Sequence, residues 1–445
     1  MKFAKDPYWK KSGFYTISQR VANILFGFGS FYLLVRILSK VDFGTWALYI
    51  TVTSLIEIAR NGLVQNALIK FAASSDKKDY PTIISSALVL NIITTVFSIL
   101  LLFSIAGFLS VIWSVPQLAF ILYLYTITTL FLLPVSQLNG VQQANLDFKG
   151  VFYTSLVRQG LFFVAVLIIW YLDYTVELYQ LAVVQILAAF LGSLTCFLFA
   201  KKYLHFTRSV DWKRVKELFN YGKFVFGTNI SAMIFNGLDQ MIIGIMLNPV
   251  AVALYNIVLR IINVFEVPLS SISAIVFPQS SKRSSEQGKE AVKYLYERSV
   301  GLLIGMIIPV VIGTLLFAKE IIWFIAGEKY FDAIPILQVA IFIALFMPYQ
   351  RQFGVIMDSI GKAKVNFLTI LITTLINIIT DYLFISAFGV IGAAYGTLSA
   401  MMIAFVFTQI ILHKEINTNP LNTFIYAWKF YTDGMKMVVS KLSKK

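Results

Sequence analysis

The chain has 445 residues, 58% of them hydrophobic and 13% charged, with a formal net charge of +15. A soluble fold of this composition could not cover its surface with polar groups, so an ordinary soluble domain is excluded and a polytopic membrane protein is indicated. The basic residues fall in short loops between apolar runs, which argues against a nucleic-acid binder and for membrane topology with contacts to anionic lipids. The single cysteine, Cys196, sits in an apolar run, which excludes an internal disulfide and a thiolate metal cluster. His205 and His413 are far apart in loops, so neither a metal site nor His-based acid/base chemistry is expected, and no cofactor is called for.

Lys2, Lys5, Lys10 and Lys11 precede the first apolar run, and no small-residue cleavage site follows, so that run reads as a retained anchor. Apolar stretches then predict spans over 14–37, 44–69, 82–110, 116–138, 150–172, 178–200, 222–247, 249–277, 299–318, 333–357, 365–386 and 389–412. The longest interruption, 201–223, is basic, and six spans lie on either side of it. The expected fold is therefore all-α, about twelve transmembrane helices in two six-helix lobes: 1–200, a cytoplasmic basic linker 201–221, 222–412, and a basic amphipathic cytoplasmic tail 413–445. Trp212, Val215, Leu218 and Phe219 have helical spacing and predict an interfacial segment in the linker. In the tail, Phe424, Trp428, Tyr431, Met435, Val438 and Leu442 alternate with Lys429, Asp433 and Lys436, which suits an interfacial helix better than a thirteenth span.

With the N-terminus inside, only Arg36, Lys40, Lys319 and Lys329 fall outside and Arg20, Arg60, Arg158, Arg260 and Arg351 within spans; every other Lys and Arg is cytoplasmic. That asymmetry places both termini in the cytoplasm of a multi-pass inner-membrane protein. The outer loops are short, the longest about 318–332, and leave no room for a catalytic domain. Pro134, Pro268, Pro309 and Pro348 lie inside spans, where neighbouring helices must satisfy the freed carbonyls. Residues 13–71 align without a gap onto 222–280 and superpose Glu57 on Glu266, a weak internal repeat.

Polar residues inside the spans carry the functional signal. Thr53, Glu57, Asn61 and Gln65 recur every four residues in the second span, with Arg60 beside them. The eighth offers Asn256, Arg260, Asn263, Ser270 and Ser273, the first Arg20, Asn23 and Ser30, and the seventh Asn229, Asn236, Asp239 and Gln240. Such faces either pack together through hydrogen bonds or line water. An unpaired guanidinium in hydrocarbon costs at least ~3 kcal/mol, which favours a wet cavity between the lobes. Arg20 and Arg351 lie near span ends, where snorkelling competes with function; Arg158 is intermediate; Arg60 and Arg260 are deeper. Their planar donor forks suit a phosphate or diphosphate, and the rival reading is ion pairing with Glu57, Glu266 or Asp239. Glu57, Asp239, Glu266 and Asp381 are candidates for proton or sodium coupling or for such ion pairs; Asp381 shares a face with Thr373 and Asn377.

Several blocks carry a family resemblance: Arg36-Ile-Leu, Asp42-Phe-Gly44, Gly62-Leu-Val-Gln-Asn-Ala67-Leu, Leu238-Asp-Gln-Met-Ile-Ile-Gly244, Ala253-Leu-Tyr255, Phe277-Pro278, Ile360-Gly-Lys-Ala-Lys364 and Phe388-Gly-Val-Ile-Gly-Ala-Ala394. In this order the chain resembles the Wzx-type O-antigen flippases of the multidrug/oligosaccharidyl-lipid/polysaccharide (MOP) superfamily. The resemblance implies a MATE-like fold, two lobes around a central cavity. It also implies alternating-access transfer of an undecaprenyl-diphosphate-linked oligosaccharide to the outer leaflet for O-antigen, lipopolysaccharide or capsule biosynthesis, with other polysaccharide-assembly membrane proteins as partners. Related lipid II flippases use cavity arginines for the diphosphate, and here only Arg20, Arg60, Arg158, Arg260 and Arg351 are available for that role. Two rivals stand beside this transporter reading. A drug/cation antiporter of the same superfamily would be poorly served by arginines, and a membrane glycan polymerase or ligase would need an outer catalytic loop.

Overall fold

In the computed structural model the described backbone covers 7–76, 78–205, 207 and 210–442, with the side chains of 7–13, 224, 225, 227–236, 285 and 433–442 outside the described set. The chain divides into two compact units, 1–237 with 248–250 and 238–247 with 251–445. The first unit thus extends into the seventh expected span, beyond the linker boundary expected at residue 221.

The first unit contains α1 (Pro7–Ile37), α2 (Lys40–Ala73), α3 (Tyr80–Ile112), α4 (Pro116–Ala144), α5 (Phe148–Tyr171) and α6 (Leu178–Ala200), followed by the start of α7 (Trp212–Met246). Each start has a local cause. The Ser39 hydroxyl accepts from Asp42 N at 3.0 Å, proline opens α3 and α4, Asp147 accepts from Lys149 N at 3.2 Å, and Glu177 forms a capping box with Gln180. Gly44 is dictated by closeness: a Cβ there would stand 1.7 Å from Pro249 O. α4 is the hub, packed against α2, α3, α5 and α6. Close to Pro134, the carbonyls of Leu132 and Leu133 accept from Arg60 Nη2 at 3.3 Å and Asn91 Nδ2 at 3.1 Å, which ties α4 to α2 and α3.

The helical part of the linker is the opening of α7. Val215 and Leu218 are buried against Val64, Leu68, Ile84 and Leu90, which holds the segment on the first unit's core, while Trp212 and Phe219 stay exposed.

The second unit continues with α8 (Pro249–Ile262), a 3-10 turn at 263–265, α9 (Glu266–Glu286), α10 (Lys289–Leu316), α11 (Ala318–Ala326), a 3-10 segment 328–333, α12 (Ile334–Ala340), α13 (Ile343–Ser359), α14 (Ala363–Phe388), α15 (Val390–Ile416) and α16 (Pro420–Leu442). The break between α8 and α9 has a cause in Pro268, which has no N–H to offer the carbonyl of Val264. Gly389, at φ 65°, turns α14 into α15, and Gly392 lets them meet, since a Cβ there would lie 2.0 Å from Phe384 O.

Among the described residues, ten helices are long and apolar enough to cross a membrane, and the segment 328–340 with α13, bent by 51°, passes the same test only if the two count as one span. α7 stands where the span 222–247 was expected. The segment 318–332, expected as the longest outer loop, is built as α11 and its 3-10 continuation.

The start of α16 packs on α10. Glu297 accepts from Asn419 N and Asn422 Nδ2, Gly301 meets Thr423, Tyr426 and Ala427, and Gly305 meets Ala427 and Phe430. Both sets of numbers rise together, so α16 runs parallel to α10 along the groove left by two glycines. The first three turns of α16 therefore lie along α10, which is long and apolar enough to cross a membrane.

Candidate functional site

Two polar clusters stand out, one in each unit. In the first, Glu57 lies at the centre of α2 and Arg158 near the centre of α5. Arg158 Nη1 is 3.3 Å from Glu57 Oε1, and both side chains are about three-tenths exposed. Arg60, one turn on from Glu57, is 2% exposed. Its Nη2 donates to Leu132 O, while its Nη1 has no hydrogen-bond partner among the described residues. Arg60 feels the charge of Glu57, yet makes no ion pair of its own among the described residues. Two guanidiniums thus share one carboxylate, and the cluster carries a net positive charge. Tyr125, itself buried, completes its surroundings. Glu57 is consumed as an ion-pair partner, one of the two roles expected of it.

In the second unit, Asp239 and Asp381 are 5% and 0% exposed and face each other. Asp239 Oδ2 accepts from Tyr255 OH at 2.6 Å and Thr397 Oγ1 at 3.0 Å. Asn377 faces Asp381 at longer range, but Asp239 Oδ1 and both Asp381 carboxyl oxygens accept no close hydrogen bond among the described residues. Gly396 makes room for this group: a Cβ there would be 2.3 Å from Asp381 Oδ1. Two buried carboxylates repel unless a positive charge or a proton stands between them. The donor set is hard oxygen throughout, carboxylate, hydroxyl and amide, which fits a proton or a small hard monovalent cation. No group of three or more His, Cys, Asp or Glu residues is placed to hold a metal ion among the described residues.

The other expected residues are scattered. Arg20 is exposed on α1. Asn23 accepts from Ser155 Oγ at 2.7 Å, and Asn61 and Gln65 are half-buried on α2. Arg260 and Asn263 are exposed beside the break between α8 and α9. Asn256 donates to Gln240 at 2.9 Å, a helix-packing bond. Arg351 lies 3.9 Å from Glu266, both half-exposed, which gives Glu266 an ion-pair partner within its own unit. Asn229 and Asn236 lie outside the described side chains. Sequence reasoning did not single out Tyr125, Tyr255 or Thr397. A usable signal for Thr397 was the small-residue run Gly392, Ala393, Gly396, Ala400 on α15, which announces close packing on whatever faces it.

Residues 33–335 match the family model described as polysaccharide biosynthesis protein. An uncharacterised membrane protein of Methanocaldococcus jannaschii is 28% identical over 225 residues, 50% of this chain and 44% of that protein. The "Probable low-salt glycan biosynthesis flippase Agl15" of Haloferax volcanii is 24% identical, over 42% of this chain and 40% of its own length. The teichuronic acid biosynthesis protein TuaB of Bacillus subtilis is 22% identical, over 62% and 57%. The chain therefore spans about half the length of the curated relatives it matches. Among solved structures, the lipid II flippase MurJ superposes with a TM-score of 0.75 at 15% identity, covering 96% of this chain and 92% of that one. An inward-facing MATE family transporter of the MOP superfamily gives 0.72 at 15% identity, over 88% and 95%. These likenesses fix the fold as MATE-like and all-α. With more than half of its length matched by the family model, this multi-pass membrane chain belongs to the polysaccharide biosynthesis protein family, in the fold of the MOP superfamily.

Proposed function

We propose that the chain is a flippase that carries a polyprenyl-diphosphate-linked oligosaccharide from the cytoplasmic to the outer leaflet by alternating access. The observation that carries this reading is the Glu57–Arg60–Arg158 cluster: two guanidiniums, one carboxylate and an unpartnered Arg60 Nη1 near the centre of a membrane helix. Net positive charge held by planar donor forks suits a diphosphate and repels an organic cation. The family match and the flippase name borne by the Haloferax relative support the same class. Undecaprenyl diphosphate is the carrier we expect, in a cytoplasmic membrane with both termini inside, as the distribution of Lys and Arg supports.

Asp239 and Asp381 would supply the coupling step. Loading one proton or sodium ion between them relieves their repulsion, and losing it restores a strained state, so the pair is suited to make transport depend on an ion gradient. The test is transport of a defined lipid-linked oligosaccharide into proteoliposomes by the purified full-length chain. Flipping that depends on Arg60 and responds to a proton or sodium gradient is expected. Equal flipping by wild type and by a chain lacking both Arg60 and Arg158 guanidiniums would end the proposal.

A further inference from the structure

Between α10 and the bent segment 328–359 the chain inserts α11, whose two sides differ. Ala318, Ile322 and Ala326 recur every four residues and are buried, which seats one side of the helix on the second unit. The other side carries Lys319, Glu320, Trp323 and Phe324, and it continues from Leu316 and Phe317 at the end of α10. All six are exposed, and Leu316, Phe317, Trp323 and Phe324 are each more than half exposed.

The exposed surface is graded along the chain. In the last turns of α10 it consists of Met306, Pro309, Val310, Ile312 and Leu316, without a charge, as the lipid-facing side of a span requires. In the 3-10 segment after α11 it consists of Glu328, Lys329 and Asp332, all charged. α11 stands between the two and presents both kinds. Hydrocarbon would reject Lys319 and Glu320, and water would reject Phe317, Trp323 and Phe324. Lys319 Nζ lies 5.6 Å from the centre of the Phe331 ring, so the lysine leans toward the charged segment and away from the span. A layer that accepts an ammonium, a carboxylate and an indole together is the headgroup zone of a bilayer, where tryptophan rings concentrate.

We propose that α11 is a membrane-surface helix of the second unit, with its Trp323 and Phe324 side lying among lipid headgroups at the end of α10 remote from Lys289. Continuity selects lipid as the occupant of this face. A protein docked on Trp323 would also have to cover Leu316 and Val310, which belong to the exposed side of an apolar span. Because α11 leads directly into 328–359, the bilayer surface then sets the height of that end of the second unit.

Spin labels on the purified full-length chain in phosphatidylcholine liposomes test this, placed singly by Ile312→Cys, Trp323→Cys and Glu328→Cys in a Cys196→Ala background. Collision with oxygen, which gathers in hydrocarbon, measured against collision with a water-soluble nickel chelate, reports the depth of each label. The label at 312 is expected to be the deepest, that at 323 intermediate and that at 328 in water. A second readout needs no label at 323: the tryptophan emission that Trp323→Phe removes should be quenched more by lipids brominated near the headgroup than by lipids brominated at the chain ends. A label at 323 with the depth of either control overturns the proposal. So does one that is immobile and shielded from both reagents, which would assign the face to a protein partner or a second copy of the chain.

Discussion

Arg158 Nη1 lies 3.3 Å from Glu57 Oε1, so the middle of α5 is tied to the middle of α2 and, among the described residues, Arg60 is left without a carboxylate of its own. The charge excess of this cluster, more than any single arginine, is what an anionic substrate would meet.

That view makes a prediction in which a second mutation repairs the first. Arg60→Gln and Arg158→Gln should each lower oligosaccharide flipping about tenfold or more, because each leaves one guanidinium facing one carboxylate. Glu57→Gln combined with Arg158→Gln restores the net charge and should recover a substantial part of the activity. Proteoliposome transport rates decide it; a double variant no better than Arg158→Gln would show that the ion pair itself is what matters.

The carboxylate pair makes a prediction of opposite sign for stability and function. Asp381→Asn removes one of two facing buried charges, so the variant should unfold at a temperature equal to or above that of the wild type in sodium-free detergent solution. The same variant, and Asp239→Asn, should no longer respond to an imposed sodium or proton gradient. Melting curves and gradient-driven flux are the measurements; a marked loss of stability in Asp381→Asn would contradict the reading.

Close packing at the α14–α15 hairpin gives a third expectation. Gly396→Ala would place a Cβ 2.3 Å from Asp381 Oδ1 and 2.8 Å from the Asp381 backbone, which cannot step aside cheaply. A cost of about 1–3 kcal/mol is expected for such overpacking. A lowered denaturation midpoint together with altered ion dependence would separate this from a remote packing defect.

The course of α16 can be read by labelling. In a Cys196→Ala background, Trp428→Cys should resist a membrane-impermeant maleimide in intact proteoliposomes, since the helix follows α10 into the bilayer. Glu290→Cys, on the exposed start of α10, should react readily when that side faces the reagent. Rapid labelling of both would return α16 to the surface.

Much of the fold was legible because a bilayer reads sequence simply: roughly 20 apolar residues are needed to cross it, and polar residues at four-residue spacing mark a face. Expected spans such as 116–138 and 178–200 correspond to α4 and α6, and the Thr53–Glu57–Asn61 stripe lies on α2. Periodicity left open which helix each amphipathic face would meet. Val215 and Leu218 had the spacing of an interfacial segment, yet the apolar pocket formed by Val64, Leu68 and Ile84 buries them. The lysines in the tail argued for a surface helix, but Gly301 and Gly305 on a distant helix open the groove that α16 occupies.

By itself, then, the amino-acid order determined the membrane class, where most of the spans lie, and which side chains hydrocarbon would reject. Only the tertiary structure decided that Glu57 meets Arg158 and not Arg60, and that Asp239 and Asp381 share one buried pocket with Tyr255 and Thr397. The physical reason is that helical periodicity specifies which face a residue occupies, whereas its partner is set by which helix packs there and at what height.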